Sequence, residues 1–232
     1  MSKSALIVGT GSGISAALAQ ALHGEGYRLV LASREPRQFA DLAKRTGAHS
    51  VALDATEPGQ MAKLFAEADA VLGPIDLAVY NASFRTRGPL VDLVPEDVLK
   101  AFTTSAFGAF LMGQEAARRM VPRGSGAIFF TGASAGVKGY PQSAPFAMAK
   151  FALRGLAQSM ARELGPKGIH IAHFVIDGGV RNAARGRTEE ANAAPDSLLD
   201  PAAIADTYMH TLKQPRSAWS LEVELRPWIE RF

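Results

Sequence analysis

A lysine one helical turn beyond an aromatic residue is the arrangement in this sequence with the clearest chemical potential. Residues 146–150 read FAMAK within a stretch whose pattern predicts a helix over 143–165. Lys150 therefore lies on the same helical face as Phe146. An ammonium group there would lower the pKa of a neighbouring phenol, but Phe146 has no hydroxyl. Two interpretations follow: an active site that lacks its acid, or a helix that carries a lysine.

A glycine-rich turn near the N-terminus predicts a phosphate-binding site. The letters VGTGSGISAAL follow a strand-like run at 5–9 and open a helix over 13–24. Glycines allow a tight turn and let a pyrophosphate approach backbone N–H groups at the helix N-terminus. The position directly after the first strand favours nucleotide binding over a purely structural turn. The predicted contacts are Gly9, Ser12, Gly13 and Ile14.

The end of the next strand bears on the choice of cofactor. It reads Ser33–Arg34, twenty residues beyond Gly13. An NAD site usually has an acidic residue there for the ribose hydroxyls, whereas a basic residue suits a 2′-phosphate. A solvated surface arginine is the alternative interpretation of Arg34. Ser33 and Arg34 therefore favour NADP(H) over NAD(H).

The elements that must position these residues alternate along the whole chain. Apolar, strand-like runs lie at 5–9, 28–33, 50–54, 76–82, 126–132, 169–176 and 219–225. Helical patterns lie near 13–24, 36–46, 57–72, 96–121, 143–165 and 200–213. This alternation predicts an α/β fold, a Rossmann-type, doubly wound parallel β-sheet flanked by helices on both faces.

The chain is predicted to form one domain over 1–232, because it contains no repeat, linker or low-complexity tract. Its weakest part is 178–198, which is polar, rich in small residues and long for a loop. Such loops often act as lids, so we predict a substrate lid there. Arg181, Arg185 and Arg187 in this lid could meet an anionic substrate, but solvated arginines or contacts with cofactor phosphates are the favoured interpretations.

The order and spacing of these motifs resemble the short-chain dehydrogenase/reductase family over essentially the whole chain. The family's GxxxGxG pattern is matched by Gly9, Gly13 and Ser15, with a small residue in place of the last glycine. Its NNAG is matched by YNAS, in which Tyr80 departs from the pattern. Its YxxxK lysine is Lys150, which also binds the nicotinamide ribose in the family.

The resemblance implies further cofactor contacts at the ends of the later strands. The aspartate that closes the third strand and holds the adenine is matched by Asp54. The Pro-Gly turn after the sixth strand is matched by Asp177–Gly178, and Val180 stands where a backbone contact to the nicotinamide is expected. The full set implied in this way is Asp54, Ala55, Asn81, Ala82, Ser83, Lys150, Asp177, Gly178 and Val180.

The departures from the family pattern fall on the chemistry. The family's catalytic tyrosine, serine and asparagine align with Phe146, Ala133 and Ser105. Only Lys150 of the four catalytic residues remains. Losing a positioned general acid typically costs on the order of 10²–10⁴ in rate, whereas hydride transfer is the cofactor's own chemistry. The resemblance therefore implies slow or unusual catalysis rather than efficient ketone reduction.

Three nearby hydroxyls could substitute for the missing groups. Ser134 and Tyr140 are predicted in the loop before the FAMAK helix, and with Lys150 they form the candidate catalytic set. Ser143 precedes Lys150 by seven residues and shares its helical face. A helix cap is the favoured interpretation of Ser143.

Composition excludes several other classes of protein. The 232 residues are 47% hydrophobic and 20% charged, with a net charge of +3 and no cysteine. The five histidines show no metal-ligand spacing, so we predict no metal site.

Basic clusters are short and lack interleaved aromatics, which argues against nucleic-acid binding. No apolar run reaches the roughly 18–20 residues of a membrane span, and the chain enters a strand at once, so we expect a cytoplasmic protein without a signal peptide.

The long helices also bear on assembly. We predict at least a homodimer, or a homotetramer, because the helices over 96–121 and 143–165 carry more apolar surface than one sheet face can cover. Phe102, Phe107 and Phe110 on the first of these helices are interpreted as packing residues.

The leading hypothesis is an NAD(P)(H)-dependent short-chain oxidoreductase with an incomplete acid–base set, acting on a small molecule such as a carbonyl compound. The alternative is a non-catalytic NADP(H)-binding sensor or partner protein on the same fold.

Overall fold

Seven parallel strands form the centre of the protein. The computed structural model describes residues 3–190 and 192–230. The sheet order is β3-β2-β1-β4-β5-β6-β7, and every pair of neighbours is parallel. The strands are β1 (Ser4–Val8), β2 (Arg28–Ser33), β3 (His49–Ala52), β4 (Leu77–Tyr80), β5 (Gly126–Thr131), β6 (Ile169–Ile176) and β7 (Glu222–Leu225). The predicted doubly wound α/β fold is confirmed.

Helices cover both faces of this sheet, because strands that are apolar on both sides must be buried on both sides. The helices are α1 (Ile14–Gly24), α2 (Ala40–Thr46), α3 (Pro58–Leu72), α4 (Pro95–Phe102), α5 (Gly108–Met120), α6 (Ala144–Leu164) and α7 (Pro201–Leu212). Helices α1, α2 and α7 pack on one face, and α3, α5 and α6 pack on the other. The core is therefore split by the sheet into two apolar clusters.

The structure differs from the predicted boundaries of two helices and of the last strand. The helix predicted over 96–121 is interrupted by a π-helical turn at Thr103–Phe107, between α4 and α5. The last strand begins at Glu222 rather than at residue 219. The helix predicted from residue 36 begins with a 3₁₀ turn at Pro36–Phe39.

The π turn is stabilised by the tyrosine that departs from the family pattern. Tyr80, at the end of β4, is fully buried, and its hydroxyl donates a hydrogen bond to the Thr104 carbonyl over 2.5 Å. Burial raises the pKa of Tyr80 well above its usual value, so the phenol stays protonated as a donor. Gly108 makes room for this ring, because a Cβ there would lie 2.7 Å from the Ala55 carbonyl oxygen and closer still to the phenol. Tyr80, the π turn and Gly108 therefore form one packing unit.

The three phenylalanines of the α4–α5 region are only partly packed in the isolated chain. Phe102, Phe107 and Phe110 are 39%, 38% and 40% exposed, so the core accounts for only part of their surface. Phe107 and Phe110 stack on each other with ring centroids 6.1 Å apart.

Candidate functional site

A cleft of about 1280 Å³ opens at the carboxyl ends of the strands. It lies where the strand order reverses, between β1 and β4, which is where open α/β sheets bind ligands. All of the predicted cofactor contacts line it, namely Gly9, Ser12, Gly13, Ile14, Ser33, Arg34, Asp54, Ala55, Asn81, Ala82, Ser83, Lys150, Asp177, Gly178 and Val180. The fold therefore gathers into one cleft residues that are far apart in sequence.

The backbone of the glycine turn requires a glycine at position 9. Gly9 has a φ of +90°, and a Cβ there would lie 2.5 Å from the Ala82 Cα. Ser15 is buried in α1. Its hydroxyl donates to the Gly9 carbonyl over 3.0 Å and accepts from the Asn81 side-chain amide over 2.6 Å. The serine in place of the family's third glycine thus ties the turn to the end of β4.

The far end of the cleft presents an exposed cation, Arg34, directly after β2. Arg34 is exposed, and no carboxylate of the described chain lies within ion-pair distance of it. Glu35, the nearest acid in sequence, bonds instead to the Gln38 amide over 2.6 Å. After the neighbouring strand β3, Asp54 accepts hydrogen bonds from the backbone N–H and hydroxyl of Thr56, which hold the pKa of its carboxyl below the usual value, with a smaller contribution from the charge of Arg34.

The segment 178–198, which the sequence predicts to be a lid and which is called the lid segment below, lies against the glycine turn. The Ser12 hydroxyl donates to the Asn182 side-chain carbonyl over 3.1 Å, and the Asn182 amide nitrogen lies 3.2 Å from the Cβ position of Gly13. The base of the lid is joined by a bridge between Val180 and Leu199. Residue 191 lies outside the described part of the chain. The lid predicted over 178–198 is therefore described at 178–190 and 192–198.

Arginines of the lid take two different positions. Arg181 lies 3.8–3.9 Å from Glu189, Asp196 and Asp200, so it joins the lid to the start of α7. Arg185 reaches the glycine turn, where one guanidinium nitrogen lies 3.7 Å from the Cβ position of Gly11.

Lys150 lies at the floor of the other end of the cleft. It is 3% exposed, and its Nζ donates a hydrogen bond to the Thr131 carbonyl over 2.8 Å. Burial lowers the pKa of Lys150 to about 8. The Nζ lies 5.6 Å from the centroid of the Phe146 ring. The predicted one-turn pair on α6 therefore faces the cleft.

Tyr140 supplies a phenol on the wall of the same cleft. Its side chain is 40% exposed, and the Lys138 Nζ lies 5.6 Å from its ring centroid. A hydrogen bond with this phenol raises the pKa of Lys138, and the Asp177 carboxylate, 3.6 Å away, adds to the effect. A protonatable hydroxyl and an ammonium group thus lie together near the end of β6.

The other candidate hydroxyls have different positions. Ser134 and Ala133 line the cleft. Ser105 is fully buried in the π turn, outside the lining of the cleft, and its Oγ accepts from the Phe84 backbone N–H over 3.4 Å. Ser143 is the N-cap residue of α6, but its hydroxyl makes no capping hydrogen bond, so the prediction of a capping side chain was wrong.

Sequence reasoning did not single out two residues that the structure places in the cleft. Asn182 contacts the glycine turn from the lid. Arg85 lies with its guanidinium carbon 4.8 Å from the centroid of the Phe146 ring. No local pattern could have found Arg85, because sixty-one positions separate it from Phe146 in the sequence.

Metal ligands and membrane spans were also sought in the structure. Across 3–190 and 192–230, no three His, Asp or Glu side chains come together as a metal-binding group. No helix in the same ranges has the length and apolar character needed to cross a bilayer.

Comparison with known proteins identifies the class to which this fold and cleft belong. The family described as short chain dehydrogenase matches residues 3–192. The chain therefore belongs to the short-chain dehydrogenase family, whose curated relatives include oxidoreductases. The L-2,3-butanediol dehydrogenase of Corynebacterium glutamicum is 31% identical over 176 residues, covering 72% of this chain and 68% of the relative. In two further curated relatives, the part that matches this chain makes up 66% of the length of one and 64% of the length of the other.

Solved structures agree with this assignment. A short-chain dehydrogenase from Rhodopseudomonas palustris is 33% identical, with a TM-score of 0.83, and the match covers 97% of this chain and 99% of that one. An actinorhodin polyketide ketoreductase with NADPH has a TM-score of 0.88 at 20% identity, over 100% and 98% of the two chains. The second likeness shows the fold alone.

Proposed function

We propose that the protein is an NADP(H)-dependent oxidoreductase of the short-chain type that works with an incomplete acid–base set on a small carbonyl compound. The observation that carries this proposal is Lys150, buried at the floor of a dinucleotide-sized cleft and one turn from Phe146. The lysine position and the cleft are those of a family enzyme, whereas the phenol is absent.

The residues of the cleft fit a nicotinamide dinucleotide. Gly9 packs against the Asn81–Ala82 backbone with no room for a Cβ, and the turn that follows it lines the cleft at the start of α1, which is where such folds bind a pyrophosphate. The unpaired Arg34 suits a 2′-phosphate, and Asp54 suits the adenine. The NADPH bound by the actinorhodin ketoreductase supports the same class of cofactor. Reduced nicotinamide would supply a hydride to the carbonyl carbon.

The carbonyl oxygen that receives electrons in this reduction also needs a proton. Phe146 and Ala133 carry no hydroxyl, so we assign the proton donor to Tyr140, whose phenol lines the cleft beside Lys138. Because Tyr140 is partly exposed, solvent can reprotonate it. Ser134 is assigned as the hydroxyl that orients the carbonyl. Lys150 is assigned to the cofactor ribose, as in the family.

A second candidate function is supported by the same substitutions. With Phe146 and Ala133 in the cleft and Ser105 buried outside its lining, three of the four family positions cannot do acid–base chemistry. A non-catalytic NADP(H)-binding sensor or partner protein would retain the cleft and Lys150 without needing Tyr140.

The experiment that tests the proposal combines cofactor titration with turnover. Calorimetry should show NADPH binding to the wild type, and NADPH oxidation at 340 nm against activated ketones and quinones should show slow turnover. Tyr140→Phe should lower that turnover about tenfold or more, with NADPH affinity within a few-fold. NADPH binding without turnover would favour the non-catalytic function.

A gain-of-function variant tests the missing acid directly. Phe146→Tyr with Ala133→Ser restores a phenol and a donor where the ring is already accommodated, 5.6 Å from the Lys150 ammonium. We expect carbonyl reduction to rise at least about tenfold. If the wild type reduces the carbonyl compound faster than this double variant, the hypothesis of an incomplete acid–base set is wrong.

We also propose that the chain assembles through the outer faces of α4, α5 and α6. Leu99, Phe102, Phe110, Met148 and Phe151 are each about two-fifths exposed or more. Leu99, Phe102 and Met148 line one apolar groove between α4 and α6, and exposed apolar patches of this kind favour a subunit interface over solvent.

A further inference from the structure

Arg85 presents a guanidinium group whose hydrogen-bonding capacity the protein does not use. Its guanidinium carbon lies 4.8 Å from the centroid of the Phe146 ring. In the described part of the chain, the side chain makes no hydrogen bond and has no carboxylate within ion-pair distance. A guanidinium has five N–H donors and remains charged in proteins. An arginine packed on an aromatic ring in an open cleft is therefore available to a ligand.

The loop that carries Arg85 is held at both ends. The Phe84 backbone N–H donates to the Ser105 hydroxyl over 3.4 Å, and the Gly88 N–H donates to the Gln142 carbonyl over 3.1 Å. The Lys100 ammonium also lies 4.6 Å from the Phe84 ring centroid. These contacts hold the loop against the π turn, α4 and the segment just before α6, so the backbone that carries Arg85 is fixed near Phe146.

The surroundings of Arg85 favour a negative ligand. The Lys150 Nζ lies within 5.6 Å of the same ring centroid, and Arg87 lines the same cleft. Of the acids that line the cleft, Asp177 is already engaged by Lys138, and Glu96 and Glu230 form no ion pair with Arg85 in the described part of the chain. An apolar ring beside the guanidinium excludes water from that side and strengthens its interaction with an anion.

We infer that the substrate is a carbonyl compound that bears a carboxylate close to the reacting carbonyl, as in a 2-oxo acid, and that Arg85 binds this carboxylate. The inference rests on the proposed function, in which the carbonyl reacts in the cleft that Ser134, Tyr140 and Phe146 line together. A guanidinium matches a carboxylate in shape and binds it through two parallel N–H···O bonds. Arg85 is thus a specificity residue, whereas the hydride and the proton come from the groups assigned above.

The test compares two activated ketones that differ mainly in charge, phenylglyoxylate and its methyl ester. NADPH oxidation is measured with the wild type, Arg85→Gln, Arg85→Lys and the control Arg45→Gln. Arg45 is an exposed arginine of α2 outside the cleft, so its variant makes the same change in net charge. We expect Arg85→Gln to lower the acid-to-ester ratio of kcat/KM by about tenfold or more, mainly through the KM for the acid. Arg85→Lys should recover part of the ratio, and Arg45→Gln should leave it unchanged.

A binding measurement keeps this inference separate from the proposed function. Phenylglyoxylate is titrated by calorimetry into the NADP⁺ complex of each variant, which has no hydride to transfer, so only binding is measured. Binding that weakens about tenfold in Arg85→Gln but not in Arg45→Gln supports the carboxylate site, even in a protein that does not turn over. NADPH binding together with equal phenylglyoxylate affinities in the two variants overturns the carboxylate site alone. Failure to bind NADPH overturns the proposed function and this inference with it.

Discussion

The buried ammonium of Lys150 predicts an unusual dependence of stability on pH. Burial lowers the pKa of Lys150 in the folded protein to about 8, from a usual value of 10.5. Because the folded pKa is the lower one, the unfolded chain binds more protons between these two values, and stability rises with pH across that window. Each pKa unit is worth about 1.4 kcal/mol, so the gain between pH 7 and pH 10 is about 2–3 kcal/mol.

The substitution Lys150→Met isolates this effect. It removes the titrating group and also the hydrogen bond to the Thr131 carbonyl, but the second loss is a constant offset that does not depend on pH. We expect the unfolding free energy of the wild type, minus that of the variant, to rise by about 2–3 kcal/mol from pH 7 to pH 10.

The assay is urea denaturation followed by circular dichroism at pH 7, 8, 9 and 10. Lys44→Met serves as the control, because Lys44 is an exposed residue of α2. The unfolding free energy of the wild type, minus that of Lys44→Met, should not change with pH. A Lys150→Met difference that stays constant within about 0.5 kcal/mol over this range would refute the buried-ammonium argument.

Three further predictions follow from the cleft, the π turn and the outer helices. Arg34→Ala should weaken NADPH binding by roughly 1–3 kcal/mol and leave NADH nearly unchanged, and equal losses in calorimetry would reject Arg34 as the 2′-phosphate contact. Tyr80→Phe should lower the unfolding free energy by about 1–3 kcal/mol, because it leaves the Thr104 carbonyl without its donor, whereas Tyr140→Phe should change stability little. Light scattering at micromolar concentration should give at least a dimer, and a monomeric mass would contradict the interface on α4, α5 and α6.

Much of the fold was predictable from local pattern. Strands and helices follow from the spacing of apolar residues over short windows, and parallel strands with helical crossovers leave few arrangements. The boundary errors have physical causes that local pattern does not contain. The π turn at Thr103–Phe107 depends on a hydrogen bond from Tyr80, which is more than twenty residues earlier.

The end of the cleft that we propose binds the cofactor is built largely from local pattern. Gly9 and Gly13 sit in a turn between two adjacent elements, so their spacing alone indicates the local geometry. Arg34 ends the next strand, and the carboxyl ends of parallel strands share one edge of the sheet. The end of the cleft near the candidate catalytic residues was less predictable, because whether Ser105, Tyr140 or Ser143 faces the cleft depends on loops and on the packing of α6.

The sequence by itself determined the glycine turn, the order of strands and helices along the chain, and the pairing of Phe146 with Lys150 on one helical face, because each depends on residues a few positions apart. Only the tertiary structure decided that Ser15 bonds to Asn81 and that Arg85 packs on Phe146. Those contacts join segments sixty or more positions apart, and they form only once the sheet has set the register between strands. The carboxylate site proposed at Arg85 therefore depends on a contact that no local pattern encodes.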